Sequence, residues 1–189
     1  MTTEVRLAAS LTLLCHAATR AMRLGAFPAL DDEVDEGGLT KAAARRLEAA
    51  TWLTSPAAAA RRTAEALNVS ATVDDALRDI DHGAWAGSSF AELQAADPAG
   101  FAAWLADPAR GAPGGESLEG VRRRMASWLP LQAQNGAAVV AITHPMVIRA
   151  ALAESLDMPL HAALRIDIAP LSRVTLSFNR VWRLQSIQP

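Results

Sequence analysis

The chain has 189 residues, of which 51% are hydrophobic and 20% charged, with a formal net charge of −2. That length supports one domain, over residues 1–189, with a sizeable core, and the balance argues against disorder. The arginines are scattered among acids rather than gathered into a basic stripe, which excludes a general pull toward nucleic acid or an anionic membrane.

At the N-terminus, Arg6 followed by residues 7–18 has the outline of a secretory segment. Glu4 spoils a basic leader, however, Ser10 and Thr12 interrupt the apolar run, and His16 lies inside it. Residues 7–15 are instead predicted as a first, buried strand. No apolar run approaches the roughly 20 residues of a membrane-spanning helix. Cys15 is the single cysteine, which rules out an intramolecular disulfide and, with the weak leader, points to a reducing cytoplasm. Residues 31–38 are acidic and end in two glycines, so a solvated loop is favoured over a metal site. A helix is predicted over 40–50 and a short strand over 51–54. Ser55 and Pro56 then supply an N-cap and a first-turn proline for a helix through Leu67.

Residues 69–73 read as a weaker strand, 76–87 as irregular, and 90–96 and 98–105 as helical. Proline and glycine cluster over 108–115, and Ser117 caps a helix running through Trp128. Residues 137–143 form the second buried-strand candidate, followed by Pro145 and a helix to about Leu156. The alternation in 173–178 and 181–187 predicts two strands joined at Asn179-Arg180. Strands and helices in this order predict a three-layer α/β/α domain, with a mostly parallel sheet covered by helices on both faces.

Two of the four histidines follow the two best buried-strand candidates: His16 ends the first and His144 the second. Open α/β sheets build their sites beyond the carboxyl ends of parallel strands. Two imidazoles in one crevice can supply a nucleophile and a partner that steadies transferred charge. The nucleophilic ring must present a neutral nitrogen while an acceptor fixes its other N–H. Cys15, adjacent to His16 in a strand, should face the other way as an inert buried thiol. His82 reads as a packed or partly exposed ring and His161 as a surface residue beyond the last helix. Trp85, Trp104 and Trp128 fit packing roles better than ligand stacking.

Five segments, taken in order, resemble the histidine phosphatase superfamily, the phosphoglycerate mutase-like proteins. They are Leu13-Leu14-Cys15-His16-Ala17-Ala18-Thr19, Thr54-Ser55-Pro56 with Thr63-Ala64-Glu65-Ala66-Leu67, and Leu77-Arg78-Asp79-Ile80-Asp81-His82-Gly83-Ala84-Trp85-Ala86-Gly87. Pro113-Gly114-Gly115-Glu116-Ser117-Leu118 and Ile142-Thr143-His144-Pro145 with Ile148-Arg149-Ala150 complete the set. The resemblance implies hydrolysis of phosphomonoesters through a phosphohistidine at His16. His144 would hydrogen-bond the transferring group, and Asp79, one methylene shorter than the family's usual glutamate, would protonate the leaving oxygen. It implies a small phosphorylated molecule as partner and no metal or other cofactor, since histidines and arginines neutralise the phosphoryl charge directly. Thr19, Glu116 and Pro145 fall at pocket positions by the same likeness.

The departures fall on the phosphate pocket. Cys15 stands where the family has arginine, Ala17 where it has glycine, and Ala59 where it has a phosphate-binding arginine. Hydrogen bonds to charged groups contribute roughly 1.5–3 kcal/mol each, so two losses cost about 3–6 kcal/mol. That corresponds to roughly a hundred- to ten-thousandfold in rate. Arg62, three residues beyond Ala59 on the same helix face, is the first candidate for compensation, with Arg20, Arg23 and Arg149 behind it. The expected activity is a weak or narrowed phosphatase rather than a mutase, which would have to hold a phosphorylated product firmly. The rival reading is a non-catalytic ligand-binding or interaction module on the same scaffold.

Overall fold

The computed structural model describes residues 9–29, 31–134 and 136–189. Leu7 and Ala8 of the predicted first strand lie outside them. Strand β1 (Ala9–Cys15) pairs in parallel with β4 (Ala138–Thr143), which pairs in parallel with β2 (Thr51–Thr54), itself parallel to the two-residue β3 (Thr72–Val73). On its other side β1 pairs antiparallel with β5 (Arg173–Asn179), and β5 with β6 (Val181–Gln188). The sheet order is β3-β2-β4-β1-β5-β6. The sheet is therefore mixed: its first four strands are parallel and its C-terminal hairpin is antiparallel.

The largely apolar sequences of β1, broken only by Ser10 and Thr12, and of β4 fit strands covered on both faces. Leu11, Leu13 and Cys15, with Val139 and Ala141, join one core cluster that includes Met125 and Leu129 of α6 (Leu118–Gln134) and Ile148 and Leu152 of α7 (Pro145–Ser155). Leu14, Val140 and Ile142 point the other way, against Ala60 and Ala64 of α3 (Ala58–Ala66). Alternate side chains thus serve opposite layers, as strand geometry requires. Above the carboxyl ends of the strands, α4 (Phe90–Ala96) and α5 (Pro98–Ala106) help build a separate aromatic cluster of Phe27, Trp85, Leu93, Phe101 and Trp104. Among the described residues no helix is long and apolar enough to cross a membrane.

The largest shift from expectation lies after β1. A short helix α1 (Arg20–Leu24), capped by Thr19, was not predicted, and α2 spans Glu36–Ala43 rather than residues 40–50. Glu36 in the first turn favours the earlier start. Gly38 explains why glycine is tolerated there: a Cβ would lie 3.1 Å from the backbone nitrogen of Ala18, so the helix packs directly on the loop after His16. Ser55 does not cap α3, which starts from Ala57. The helix predicted to open at Ser117 and end at Trp128 instead runs from Leu118 to Gln134, through Pro130.

Two glycines hold the third and fourth motifs together. Gly83 has φ +52°, and a Cβ on it would lie 2.4 Å from the Pro113 carbonyl oxygen; one on Gly115 would lie 2.3 Å from that of Asp81. Backbone bonds from Glu116 N to Asp81 O (2.8 Å) and Ala84 N to Pro113 O (3.0 Å) make the same contact. Gly83→Ala is expected to destabilise the protein by about 1–3 kcal/mol from backbone strain alone, read by urea unfolding. Wild-type stability in that variant would mean that the two loops do not touch.

Candidate active site

The register that sets Cys15 opposite Thr143 brings the next residue of each strand side by side. His16 N donates to Thr143 O at 2.9 Å, and the rings of His16 and His144 lie edge to face with centroids 4.9 Å apart. Both histidines are buried, at 4% and 3% exposure. His16 Nδ1 lies 2.7 Å from the Ala17 carbonyl oxygen, which can only accept, so Nδ1 carries the proton and Nε2 the lone pair. Burial and, after it, His144 lower the His16 pKa to about 4. The ring is therefore neutral near pH 7 with one nitrogen available for attack.

His144 is held at both nitrogens. Its Nδ1 donates to Asp79 Oδ2 at 3.2 Å, and its Nε2 lies 2.8 Å from Ser55 Oγ. The Ser55 hydroxyl donates to Nε2 while its oxygen accepts from Ala57 N at 3.2 Å. The loop after His16 is fixed from α3: Ala17 N donates to Thr63 Oγ1 at 2.9 Å, and Thr63 Oγ1 donates to the Ala59 carbonyl at 2.7 Å. Burial pushes the Asp79 carboxyl up, but His144, with His82 and His16 behind it, outweighs that and holds it at about 2. The segment carrying Asp79 is pinned by Thr143 Oγ1 donating to Leu77 O (2.7 Å) and by Arg124 donating to Ala76 O (2.8 Å) and Arg78 O (2.7 Å).

These groups open on a crevice of about 350 Å³ whose walls include His16, His144, Asp79, Ala59, Arg78 and Asp32. Among the described residues Arg78 is the only arginine on those walls, and it is already paired with Asp75 at 2.9 Å. Against it stand three aspartates, Asp32, Asp79 and Asp81. Asp32 comes from the loop expected to be simply solvated. It is half-buried; Oδ1 accepts from Ala21 N at 3.3 Å, and Oδ2 is buried with no hydrogen-bond partner among the described residues. No group of three or more His, Cys, Asp or Glu among the described residues is placed to hold a metal.

Of the residues singled out from the sequence, His16, His144, Asp79, Thr19 and Ala59 meet at this crevice, and Pro145 lines an adjoining lobe. Four others do not reach its walls. Cys15 belongs to the core beneath α7, and Ala17 is fully buried under the loop. Arg62 is exposed and paired with Glu65 at 3.5 Å, so it offers no compensation here, because its side chain leaves the helix toward solvent. Glu116 pairs with Arg124 at 2.8 Å and thereby steadies the Asp79 segment from behind. Arg23 pairs with Asp35 rather than folding back. His82 lines the crevice with its ring centroid 4.7 Å from that of Phe27, whereas His161 is exposed within the short helix α8 (Leu160–Ala163). Ser55, Arg78 and Asp32 are site residues that the sequence reading missed. The first two sit inside quoted motifs, while Asp32 had no signal beyond its charge.

Burial, followed by the charge of Asp79, pushes the Cys15 thiol up to about 12. The unfolded chain gives up that proton from about pH 9, so stability falls as pH rises from 9 toward 12, by up to ~4 kcal/mol. Cys15→Ala should flatten this alkaline slope in unfolding measurements; an unchanged slope would place its cause elsewhere.

The sequence profile of the histidine phosphatase superfamily, branch 1, matches residues 11–187. The chain belongs to the histidine phosphatase superfamily. Among solved structures it is similar to the mycobacterial glucosyl-3-phosphoglycerate phosphatase Rv2419c, at 25% identity and a TM-score of 0.80 over 94% of this chain and 97% of that one. The alpha-ribazole phosphatase of Shigella flexneri shares the fold, with a TM-score of 0.84 and 16% identity over 95% of this chain and 96% of that one. The bifunctional protein Rv2228c of Mycobacterium tuberculosis is 36% identical over 137 residues, which cover 68% of this chain and 38% of that protein. The chain therefore matches well under half the length of that relative. In this chain the two imidazoles meet over the β1–β4 boundary, Cys15 ends β1 beneath them, and Ala59 lies in the first turn of α3.

Proposed function

We propose that the chain is a phosphomonoester hydrolase acting on a small phosphorylated molecule in the cytoplasm, with low or narrowed activity. The observation that carries this reading is a neutral His16, its Nε2 free, facing His144 across a crevice shared with Asp79. His16 Nε2 attacks phosphorus and the ester P–O bond breaks, leaving a phosphohistidine that water then cleaves. His144 Nδ1–H binds a phosphoryl oxygen in the place Asp79 Oδ2 now occupies. Displaced from His144 and set beside a dianion, Asp79 gains proton affinity, takes a proton from solvent and passes it to the leaving oxygen; the water that cleaves the phosphohistidine returns a proton to solvent. The scheme uses no metal and no other cofactor.

Phosphate release from a broad panel of phosphomonoesters, in the presence of a chelator and with His16→Ala in parallel, tests it. Turnover confined to wild type, with acid-labile phosphate trapped on the protein, supports the mechanism. A second reading, a binding module without catalysis, is favoured by the three aspartates on the crevice walls. Phosphate release no higher than in His16→Ala would favour it over the hydrolase.

A further inference from the structure

A second lobe of about 280 Å³ opens from the same crevice and shares His16, Asp79 and His82 with it. Its walls differ in kind: beyond the residues it shares with the crevice they are mostly apolar, Phe27, Phe90, Trp104, Met146 and Leu164 among them, and Arg149 is the one arginine or lysine among the described residues lining it. The Phe27 ring lies 5.0 Å, centroid to centroid, from both Phe90 and Trp104, so three aromatic rings form a continuous wall. Phe90 stands at the rim and is 39% exposed, so its ring can be reached from solvent. Arg149 is half-buried. Its Nε donates to the Ile166 carbonyl at 2.9 Å and its Nη1 lies 3.6 Å from the Met146 sulfur. Asp167 and Cys15 act on it only from a distance, and among the described residues no carboxylate pairs with it.

We infer that this lobe receives the leaving group of the substrate, and that the leaving group is an aromatic alcohol bearing an anionic substituent that meets Arg149. The inference rests on the phosphatase reading for the words leaving group, though not for the binding itself. A sugar or polyol needs several polar partners on the wall; here His16, Thr19, Asp79 and His82 gather on the side toward the crevice, and the rest, Arg149 apart, is methionine, leucine, alanine, proline and flat rings. An aryl group gains by stacking on them. A half-buried guanidinium without a counter-ion favours a carboxylate or phosphate in fork geometry. Asp79 on the boundary between the lobes is where the leaving oxygen would need its proton.

Calorimetric titration of the full chain with 2-naphthoate, 2-naphthol and gluconate tests the lobe. Naphthoate should bind, naphthol more weakly, and gluconate not at all. Arg149→Met should lower naphthoate affinity about tenfold, to the naphthol level, and leave naphthol unchanged. Trp104→Ala and Phe90→Ala should each weaken both aryl ligands several-fold. Trp104 also stacks on Phe101 (6.0 Å, 11°), and Phe90 lies against Phe27 and Phe101, so urea unfolding of both variants, with Phe90 the more exposed ring, separates lost ligand contact from lost packing. Gluconate binding as tightly as naphthoate, no aryl binding, or wild-type affinity in Phe90→Ala would each overturn the inference. Turnover of 2-naphthyl phosphate and glucose 6-phosphate separates the two proposals. Naphthoate binding without hydrolysis of any ester leaves the lobe standing and removes the catalytic reading. Hydrolysis of the sugar phosphate without aryl binding removes the lobe alone.

Discussion

Replacing His16 with alanine is expected to lower phosphate release at least ~1000-fold, since it removes the atom that forms the covalent intermediate. Neither of the two nucleophilic side chains beside it is placed to substitute. The Cys15 thiol lies in the core with its proton held up to about 12, and His144 has both nitrogens engaged, by Ser55 and Asp79. The folded protein should survive the change, because His16 sits at the end of β1 and its ring contributes one hydrogen bond, to Ala17 O. The same histidine sets an acid limit. Its pKa of about 4 means kcat/KM should fall as pH drops through 4, where protonation removes the attacking lone pair. Stability follows a different window. The unfolded histidine protonates from about 6.5, so folding free energy is lost between pH 6.5 and 4, and the ionised Asp79 adds a further loss as pH falls from 3.8 toward 2. Retained turnover in purified His16→Ala would overturn the mechanism.

Ala59→Arg is expected to raise activity roughly ten- to a hundredfold, the effect of one added hydrogen bond to charge at 1.5–3 kcal/mol. Ala59 lines the crevice at the first turn of α3, beside His16 and His144, where a guanidinium would meet both the phosphoryl group and the unpaired Asp32. Neutralising that aspartate should help a dianion enter, so the gain should show in KM as well as kcat. The same substitution at Cys15 calls for the opposite expectation. Cys15 is fully buried in the cluster that includes Leu11, Leu13 and α7 side chains, and a guanidinium there would have to be forced into that packed core and desolvated. Cys15→Arg should therefore cost several kcal/mol of stability. Unchanged kinetics in Ala59→Arg would move the deficit to the short reach of Asp79 or to the acidic wall.

Much of this site could be read before the fold was known, because histidines placed after buried strands carry their geometry with them. The strand runs ending at His16 and His144 needed only the parallel pairing to become neighbours. The hairpin at Asn179-Arg180 and helices α4, α5 and α7 were equally plain, since proline, serine caps and alternation mark their ends. What stayed hidden depends on contacts between distant segments. Glycine and acid content made residues 31–38 look like open loop, yet Gly38 is there to let α2 press on Ala18. Ser55 has the form of a helix cap, and only the fold shows its hydroxyl on His144. Arg62 and Ala59 share a helix, but spacing along it says nothing about which face meets the crevice. Trp104 was read as packing; it packs on Phe101 and lines the second lobe as well.

The position of β4 between β2 and β1 bears on how the chain matures. During synthesis β1 and β2 emerge early and have no common neighbour until the last third of the chain is made. Until then both present open backbone edges, the condition that invites wrong pairing. His144 arrives on the same strand that closes this gap, so a nascent or truncated chain lacking β4 holds His16 beside nothing. Assembly of the two-histidine site thus coincides with completion of the sheet, and ligand affinity can serve as a reporter of finished folding.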